Sequence, residues 1–362
     1  EGLVDGQTYT LVVKSTVPIG SNRRVAHVVN RVLMERGVDV EVYFASNPEF
    51  LREGRALEDT FYPDRIVVGA EHPRAFAALH ELYLPVLKQD FAPLNCIPGP
   101  TTEKVPVYMK TDPTSAEMIK YASNAFLATK ISFANEIAGL CEKVGADITK
   151  VTYGMGLDSR IGGQFLGAGL GWGGSCFPKD TAALVAVGAE YGYTMPIVQA
   201  AREVNWRQRH IVIEKLQGVL KVLRGRTIGI LGLSFKPNTD DVRESPAVDI
   251  IRHLSELGAH VRAYDPAAME NARRVLRGVD VEFVQSPEIL AECCDALVLA
   301  TEWDSFGDFD LEQLATSMRF PLLIDGRNFY DPKEARKAGF VYVGVGRPSV
   351  EGVSSVNITS YA

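Results

Sequence analysis

The sequence predicts an α/β protein of two doubly wound halves, the first incomplete, joined by a long central helix and a helical region. Three observations predict it. Both ends of the chain alternate short apolar runs with helix-spaced segments, the pattern of parallel strands and crossover helices. The middle of the chain, Thr114 to Val144, carries apolar residues at helical spacing without a proline. The apolar runs end in Gly, Asp, Asn, Ser or Thr, the residues that line the ligand edge of such sheets.

In residues 1–112 strands are expected at Tyr9–Lys14, Val40–Ala45, Arg65–Val68 and Val105–Met109. Val25, Val28, Val29, Val32 and Leu33 mark a helix over Asn22–Arg36, capped at Ser21 or Asn22. Asp112-Pro113-Thr114 opens the central helix. Its apolar positions are Met118, Tyr121, Ala125, Phe126, Ala128, Ile131, Phe133 and Ile137, and Gly145 stops it. This helix is a candidate spine and dimer surface, or else an ordinary bundle core. Residues 113–222 read as mostly helical, interrupted by a Gly-rich loop from Gly162 to Gly174, with helices resuming near Asp180 and after Pro196. Residues 223–362 return to strands at Thr227–Leu231, His260–Tyr264, Ala296–Ala300 and Leu322–Ile324, with a helix from Ser245-Pro246 to about Gly258. This is a Rossmann-like nucleotide-binding pattern.

Composition narrows the classes. The 362 residues carry 38 basic and 45 acidic side chains, a net charge of −7, so no basic excess favours nucleic acid. The five cysteines are odd in number and irregularly spaced, with no CxxC, which argues against a disulfide framework or a zinc site. A reducing cytoplasm fits best. No apolar run reaches the roughly 18 residues of a membrane span, and no signal peptide is evident.

The densest chemistry lies in Gly173-Gly174-Ser175-Cys176-Phe177-Pro178-Lys179-Asp180. Two glycines free the backbone before a thiol, and a cation and a carboxylate follow, a setting for a covalent nucleophile and a proton acceptor. A buried structural cysteine is the alternative. Thr16 lies in the strand-ending Lys14–Gly20 segment. Glu49 and Glu53, four apart, would share one face of a helical turn. Glu117, Lys120 and Asn124 share a face of the central helix; Lys120 suits an oxyanion, or simply a surface pair with Glu117. Phe165 and Trp172 flank a glycine loop read as mobile and able to close over a base or sugar, with Arg160 just before it. In the last part, Phe235-Lys236, Arg243 and Arg327 lie where phosphates bind in such sheets, and Asp265 suits a ribose hydroxyl or a turn.

Seven stretches in order, KSTVPIG, SNPEFLREG, PDRIVVG, EMIKYASNAFLATKISFANE, GGSCFPKD, GLSFKPNTDDVRESP and DGRN, resemble the nucleotide-sugar dehydrogenases, the UDP-glucose/GDP-mannose dehydrogenase family. The resemblance covers nearly the whole chain. It implies an incomplete NAD-binding domain over 1–112, a central dimerisation region with the cysteine loop over 113–222, and a UDP-sugar domain over 223–362. It implies oxidation of a primary alcohol to a carboxylate by two hydride transfers to NAD+, in a cytoplasmic homodimer. Cys176 would capture the aldehyde as a thiohemiacetal. Asp180 and Thr16 would hold a water, Lys120 the oxyanions, Asn124 the sugar, and Glu49 would assist thioester hydrolysis. Phe165, Trp172, Gly173, Phe235, Lys236 and Arg327 would line the substrate pocket, with Arg160 reaching a neighbouring subunit. Thr16, Glu53, Lys179 and Arg243 would meet the cofactor. Ser175 and Phe177 around the cysteine look like the UDP-glucose type; branches acting on N-acetylated UDP-sugars tend to carry His before the cysteine, and the GDP-mannose branch Leu after it. The family's opening glycine-rich pyrophosphate turn is not found ahead of Thr8. The chain is therefore expected to begin within the first domain, with weakened NAD binding and, as the alternative, UDP-sugar binding without turnover.

Overall fold

A computed structural model describes residues 6–92, 97 and 105–348. Cys96 and the opening Glu1–Leu3 lie outside them. The chain divides into two compact units, Glu1–Asn124 with Ala183–Tyr193, and Ala125–Ala182 with Thr194–Ala362.

The first unit holds β1 (Thr8–Val13), α1 (Ser21–Arg36), β2 (Glu41–Ser46), α2 (Ala56–Phe61), β3 (Arg65–Ala70), α3 (Pro73–Lys88) and β4 (Val107–Thr111). The sheet order is β1-β2-β3-β4. β1 pairs with β2 in parallel from Thr8↔Glu41 to Val13↔Ser46, and β3 with β4 in parallel. Its core is Ala45, Ile66, Val68, Ala75, Leu79 and Leu87.

One pairing corrects the all-parallel expectation. β2 and β3 meet antiparallel through Ala45↔Ala70 and Ser46↔Gly69. Residues 47–55 stay irregular, and the six-residue α2 is only about 9 Å long at 1.5 Å per residue. The two parallel pairs differ in their connection: β1 reaches β2, and β3 reaches β4, through a helix of 16 residues.

α4 (Pro113–Val144) runs through the division between the units at Asn124, and α6 (Phe177–Glu190) through that at Ala182. Between them lies α5 (Ile148–Gly156), capped by Asp147; α7 (Pro196–Gln208) and α8 (Ile211–Leu220) follow.

The second unit continues with β5 (Thr227–Leu231), α9 (Pro246–Glu256), β6 (His260–Tyr264), α10 (Met269–Val275), β7 (Val281–Phe283), α11 (Pro287–Ala291), β8 (Ala296–Leu299), α12 (Leu311–Ser317), β9 (Leu322–Asp325), α13 (Pro332–Lys337) and β10 (Val341–Gly344). All strands are parallel, in the order β10-β9-β8-β5-β6-β7. The chain leaves β5 to one side and returns at β8 on the other. The crevice beyond β5 and β8 is thus the switch point where such sheets bind ligands. β5 is buried on both faces, which is why it reads as an unbroken apolar run. Ser245 caps α9, accepting the Ala247 N–H, with Pro246 at its first position. Ile250, Ile251 and Leu254 then pack on Ile228 and Ile230 within one core.

Candidate active site

Two strand ends and one helix build a cluster in the first unit. Because β1 and β2 are parallel, Ser15-Thr16 and Ser46-Asn47 emerge at the same edge of the sheet. α4 supplies Glu117, Lys120 and Asn124, all buried. Lys120 Nζ lies 3.5 Å from Glu49 Oε1 and 5.4 Å from the centre of the Phe50 ring. A buried ammonium is costly unless paired, and a carboxylate with an aromatic face offsets that cost. Glu49 is itself fixed, its Oε2 accepting the Leu51 N–H at 2.7 Å. Desolvation, with the Lys120 charge adding to it and Glu49 opposing, holds the Lys14 ammonium below the usual lysine range.

Glu117 does not form the surface pair with Lys120. Its carboxylate accepts the N–H groups of Gly20 at 2.6 Å and Asn22 at 2.9 Å. The expected cap at Ser21 or Asn22 is therefore corrected. Gly20, at φ 87°, is the N-cap and has no side chain to offer, and Ser21 turns its hydroxyl to the Pro18 carbonyl. The cap of α1 comes from a helix far along the chain. A cavity of about 10 Å³ is lined by Thr16, Ser46, Glu117 and Lys120, and Ser46 Oγ is buried without a hydrogen-bond partner.

The second cluster lies wholly in the second unit. Gly169 N–H bonds to Asn135 Oδ1 at 2.8 Å, Trp172 N–H to Asn205 Oδ1 at 2.7 Å, and Gly174 N–H to the Arg243 carbonyl at 2.9 Å. A Cβ at Gly173 would stand 2.2 Å from the Glu244 carbonyl oxygen. One at Gly174, where φ is 82°, would stand 2.7 Å from the Phe235 ring. Only glycine fits at either position. After Ser175, the Asp180 N–H closes the first turn of α6 on the Cys176 carbonyl at 2.8 Å. Cys176 therefore ends a clamped loop and begins a helix, with its side chain exposed. The Asp180 carboxylate is 1% exposed and bonds Lys179 at 2.5 Å.

Sequence models for three domains of one family match the chain: the NAD binding domain over 3–87, the central domain over 114–207 and the UDP binding domain over 229–332 of the UDP-glucose/GDP-mannose dehydrogenase family. The UDP-glucose 6-dehydrogenase TuaD of Bacillus subtilis is 46% identical over 343 residues, 94% of this chain and 69% of the relative. The chain belongs to the UDP-glucose/GDP-mannose dehydrogenase family. The UDP-glucose 6-dehydrogenase of Rhizobium meliloti is 45% identical, covering 94% of this chain and 74% of its own length. The UDP-glucose dehydrogenase structure from Pyrobaculum islandicum superposes with a TM-score of 0.80 at 43% identity, covering 94% of this chain and 72% of that one. A UDP-D-ManNAc dehydrogenase structure from Pyrococcus horikoshii gives 0.76 at 26%, covering 93% and 72%.

Several expectations for this UDP-glucose/GDP-mannose dehydrogenase change on the structure. Glu49 and Glu53 do not share a helical face. Pro48 and Gly54, at φ 80°, keep 47–55 irregular, and Glu53 is half-buried ahead of α2. The glycine loop is not a free flap: Ala168 to Gly174 are buried and bonded as above. Trp172 is a wall, with its indole N–H bound to Ser132 Oγ at 3.0 Å and its ring edge-on to Phe177. Phe165, at φ 62°, tilts against the same Phe177. Gly169, Gly171 and Gly174 have GxGxxG spacing, but no strand precedes them, and the amides of Gly169 and Gly174 are already taken.

The basic residues are also placed. Arg327 Nε donates to the Ala300 carbonyl at 2.7 Å and lies 3.2 Å from Glu302, at the switch-point crevice. Lys236 stands over Phe235, 5.6 Å from its centre. Arg243 pairs with Asp241, and the exposed Arg160 pairs with Asp158. Asp265 is the turn residue, not a ribose acceptor. Its two oxygens accept the N–H groups of Leu233, Ser234, Ala267 and Ala268 and the Trp303 indole. Asn205 and Arg209 lie outside the seven motifs, and Ser132 and Asn135, though within one of them, carry no role there. Their one signal is polarity on the buried stripe of a helix, as in Val198, Ala201, Asn205 and Gln208 of α7.

Proposed function

We propose that this chain oxidises UDP-glucose to UDP-glucuronate in two steps, consuming two NAD+ and one water. The observation that carries the substrate is the contrast in likeness, 43% identity to a UDP-glucose dehydrogenase structure against 26% to a UDP-D-ManNAc dehydrogenase. Ser175 ahead of Cys176 agrees with it.

The cofactor is NAD, whose nicotinamide ring, when bound, accepts the hydride of each oxidation. The residues present suit it. The orphaned, buried Ser46 Oγ beside Thr16 offers a hydroxyl pair for an amide or a ribose oxygen. Thr16 and Glu53, with Lys179 and Arg243, are the side chains that would hold it.

In the first oxidation the C6 hydroxyl gives up a proton and a hydride. Cys176 Sγ then adds to the aldehyde carbon and forms a thiohemiacetal, which keeps the carbon in place for the second loss of hydride. The resulting thioester takes up water, the C–S bond breaks, and the carboxylate and thiol are released. Lys120 stabilises the oxygen that turns negative in each step. Asp180 and Thr16 hold the water and its proton, Glu49 assists the hydrolysis, and Asn124 orients the sugar. Phe165, Trp172, Gly173, Phe235, Lys236 and Arg327 form the substrate side.

Two finer readings complete the proposal. Phe126, Phe133 and Leu140, seven apart on α4, are exposed while the opposite face buries Ser132 and Asn135. An outward apolar stripe of this kind suits a second copy, so the protein is a homodimer, with Arg160 reaching the neighbouring subunit. No described helix is long and apolar enough to cross a membrane. The described cysteines are free thiols, as a cysteine nucleophile in the reducing cytoplasm requires.

The test is the stoichiometry of NADH released from UDP-glucose, expected at two per sugar. Cys176→Ser should stop after the first oxidation. Full turnover by Cys176→Ser would refute the covalent step, and NADH from a UDP-N-acetylhexosamine but not UDP-glucose would refute the substrate.

A further inference from the structure

We propose that Asn205, backed by Ser132 and Arg209, is a positioning residue for Cys176. The inference rests on Cys176 being the nucleophile. Asn205 touches none of the proposed reacting groups; it acts through Trp172, four residues before the thiol.

Asn205 sits on the buried stripe of α7 and is 3% exposed. A buried amide is costly unless its groups are bonded, and Asn205 spends both ends on one residue. Its Oδ1 accepts the Trp172 N–H at 2.7 Å and its Nδ2 donates to the Trp172 carbonyl at 3.0 Å. This two-point bond fixes both the place and the orientation of the Trp172 backbone, as a strand neighbour would. The preceding residue is shaped to the same side chain: Gly171 has φ 92°, and a Cβ there would stand 2.5 Å from Asn205 Oδ1.

The rest of Trp172 is bound as firmly. Its indole N–H reaches Ser132 Oγ at 3.0 Å, and that hydroxyl donates to the Ala201 carbonyl at 2.7 Å, tying α4 to α7 through the tryptophan. Arg209 Nη2 donates to the Trp172 carbonyl at 3.3 Å and to the Glu244 carbonyl at 3.2 Å. Every polar atom of Trp172 is thus occupied. From there to the thiol little freedom remains. Gly173 lies against the Glu244 carbonyl, Gly174 is bonded to Arg243, and the Cys176 carbonyl is already part of α6. The clamp sets where Sγ stands when an aldehyde carbon is presented to it. A misplacement of about 1 Å costs about 10²-fold in rate.

The experiment compares Asn205→Ala and Ser132→Ala with the parent chain. It measures kcat and KM for UDP-glucose, the iodoacetamide alkylation rate of the Cys176 peptide by mass spectrometry, and thermal unfolding. Asn205→Ala is expected to lower kcat by about 10- to 100-fold, with KM changing far less and the alkylation rate at Cys176 altered. Ser132→Ala should show the same signature more weakly, and carries the test if Asn205→Ala does not fold. Asn205→Asp, which keeps the acceptor for Trp172 N–H, should recover part of kcat. A folded Asn205→Ala with unchanged kcat and alkylation, or one that loses only melting temperature or only KM, would overturn the proposal. The alkylation rate reads thiol placement whether or not Cys176 is the nucleophile. A fully active Cys176→Ser would therefore refute that reading separately.

Discussion

Lys120 is held by Glu49, its Nζ 3.5 Å from Oε1, with the centre of the Phe50 ring 5.4 Å away. The ammonium has one preset place, so it needs no rearrangement when negative charge develops nearby. Lys120→Met should lower kcat by about 10²- to 10³-fold, the usual effect of removing one preorganised oxyanion group. KM for UDP-glucose should barely move in the same steady-state assay. Glu49→Gln should keep a burst of NADH and slow the phase after it. Loss of the burst itself would contradict the hydrolytic role.

Glu117 carries the start of α1. Glu117→Ala removes two backbone hydrogen bonds, one from a buried and one from a part-buried N–H, and should cost about 1–3 kcal/mol, read from urea unfolding. Glu117→Gln keeps one acceptor and should cost less. Equal losses would show that the charge, not the bonding, matters.

Gly173 and Gly174 should not tolerate a methyl group. Gly173→Ala meets a carbonyl oxygen that belongs to the backbone, and Gly174→Ala meets a ring while sitting at φ 82°. Each should cost about 1–3 kcal/mol and reduce turnover beyond that loss, measured by paired melting and activity assays. Gly173→Ala should be the worse, because a ring can swing away and a peptide cannot.

Burial pushes the Cys294 thiol up to about 12, and burial likewise raises Tyr330 and Tyr342. The sign follows from which state holds the proton. Above about pH 8.5 the unfolded thiol ionises while the folded one does not, so the native state binds more protons and stability falls as pH rises. The contribution of Cys294 is complete below that pH and lost as pH climbs toward about 12. Urea midpoints taken from pH 8 to 11 should decline, and Cys294→Ala should make the decline shallower by about 1.4 kcal/mol per pH unit at most.

Phe133→Asp on the exposed stripe of α4 should yield a monomer by light scattering without lowering the melting temperature of the unit that carries it. A parent chain that is already monomeric would remove the dimer.

The strands of the second unit were legible in two ways: β5, β8 and β9 are buried on both faces and read as unbroken apolar runs, whereas β6 alternates buried and more exposed residues. Thr227–Leu231 and His260–Tyr264 are found with those limits. Val281–Phe283 and Val341–Gly344 were missed: they are edge strands of three and four residues, too short to show a period. The reversed pairing of β2 and β3 was also invisible, since it depends on where the irregular 47–55 segment spends its length. At the candidate site, Cys176 and Asp180 stood out because a thiol and a carboxylate lie close to two glycines, whereas Lys120 by itself read equally as a surface pair with Glu117 and was singled out by the family resemblance. Asn205 and Ser132 did not stand out, because their partner Trp172 becomes a neighbour only after folding. Glu117 was visible as a residue but its role was not; nothing local says that a helical carboxylate will cap a different helix.

That capping carboxylate has a wider consequence. The start of a helix ordinarily invites an anion. Glu117 makes α1 a lock with its key already inside, a built-in counter-ion that refuses other anions. The leading donors of α1 are thereby spent inside the protein, on a side chain nearly a hundred residues away.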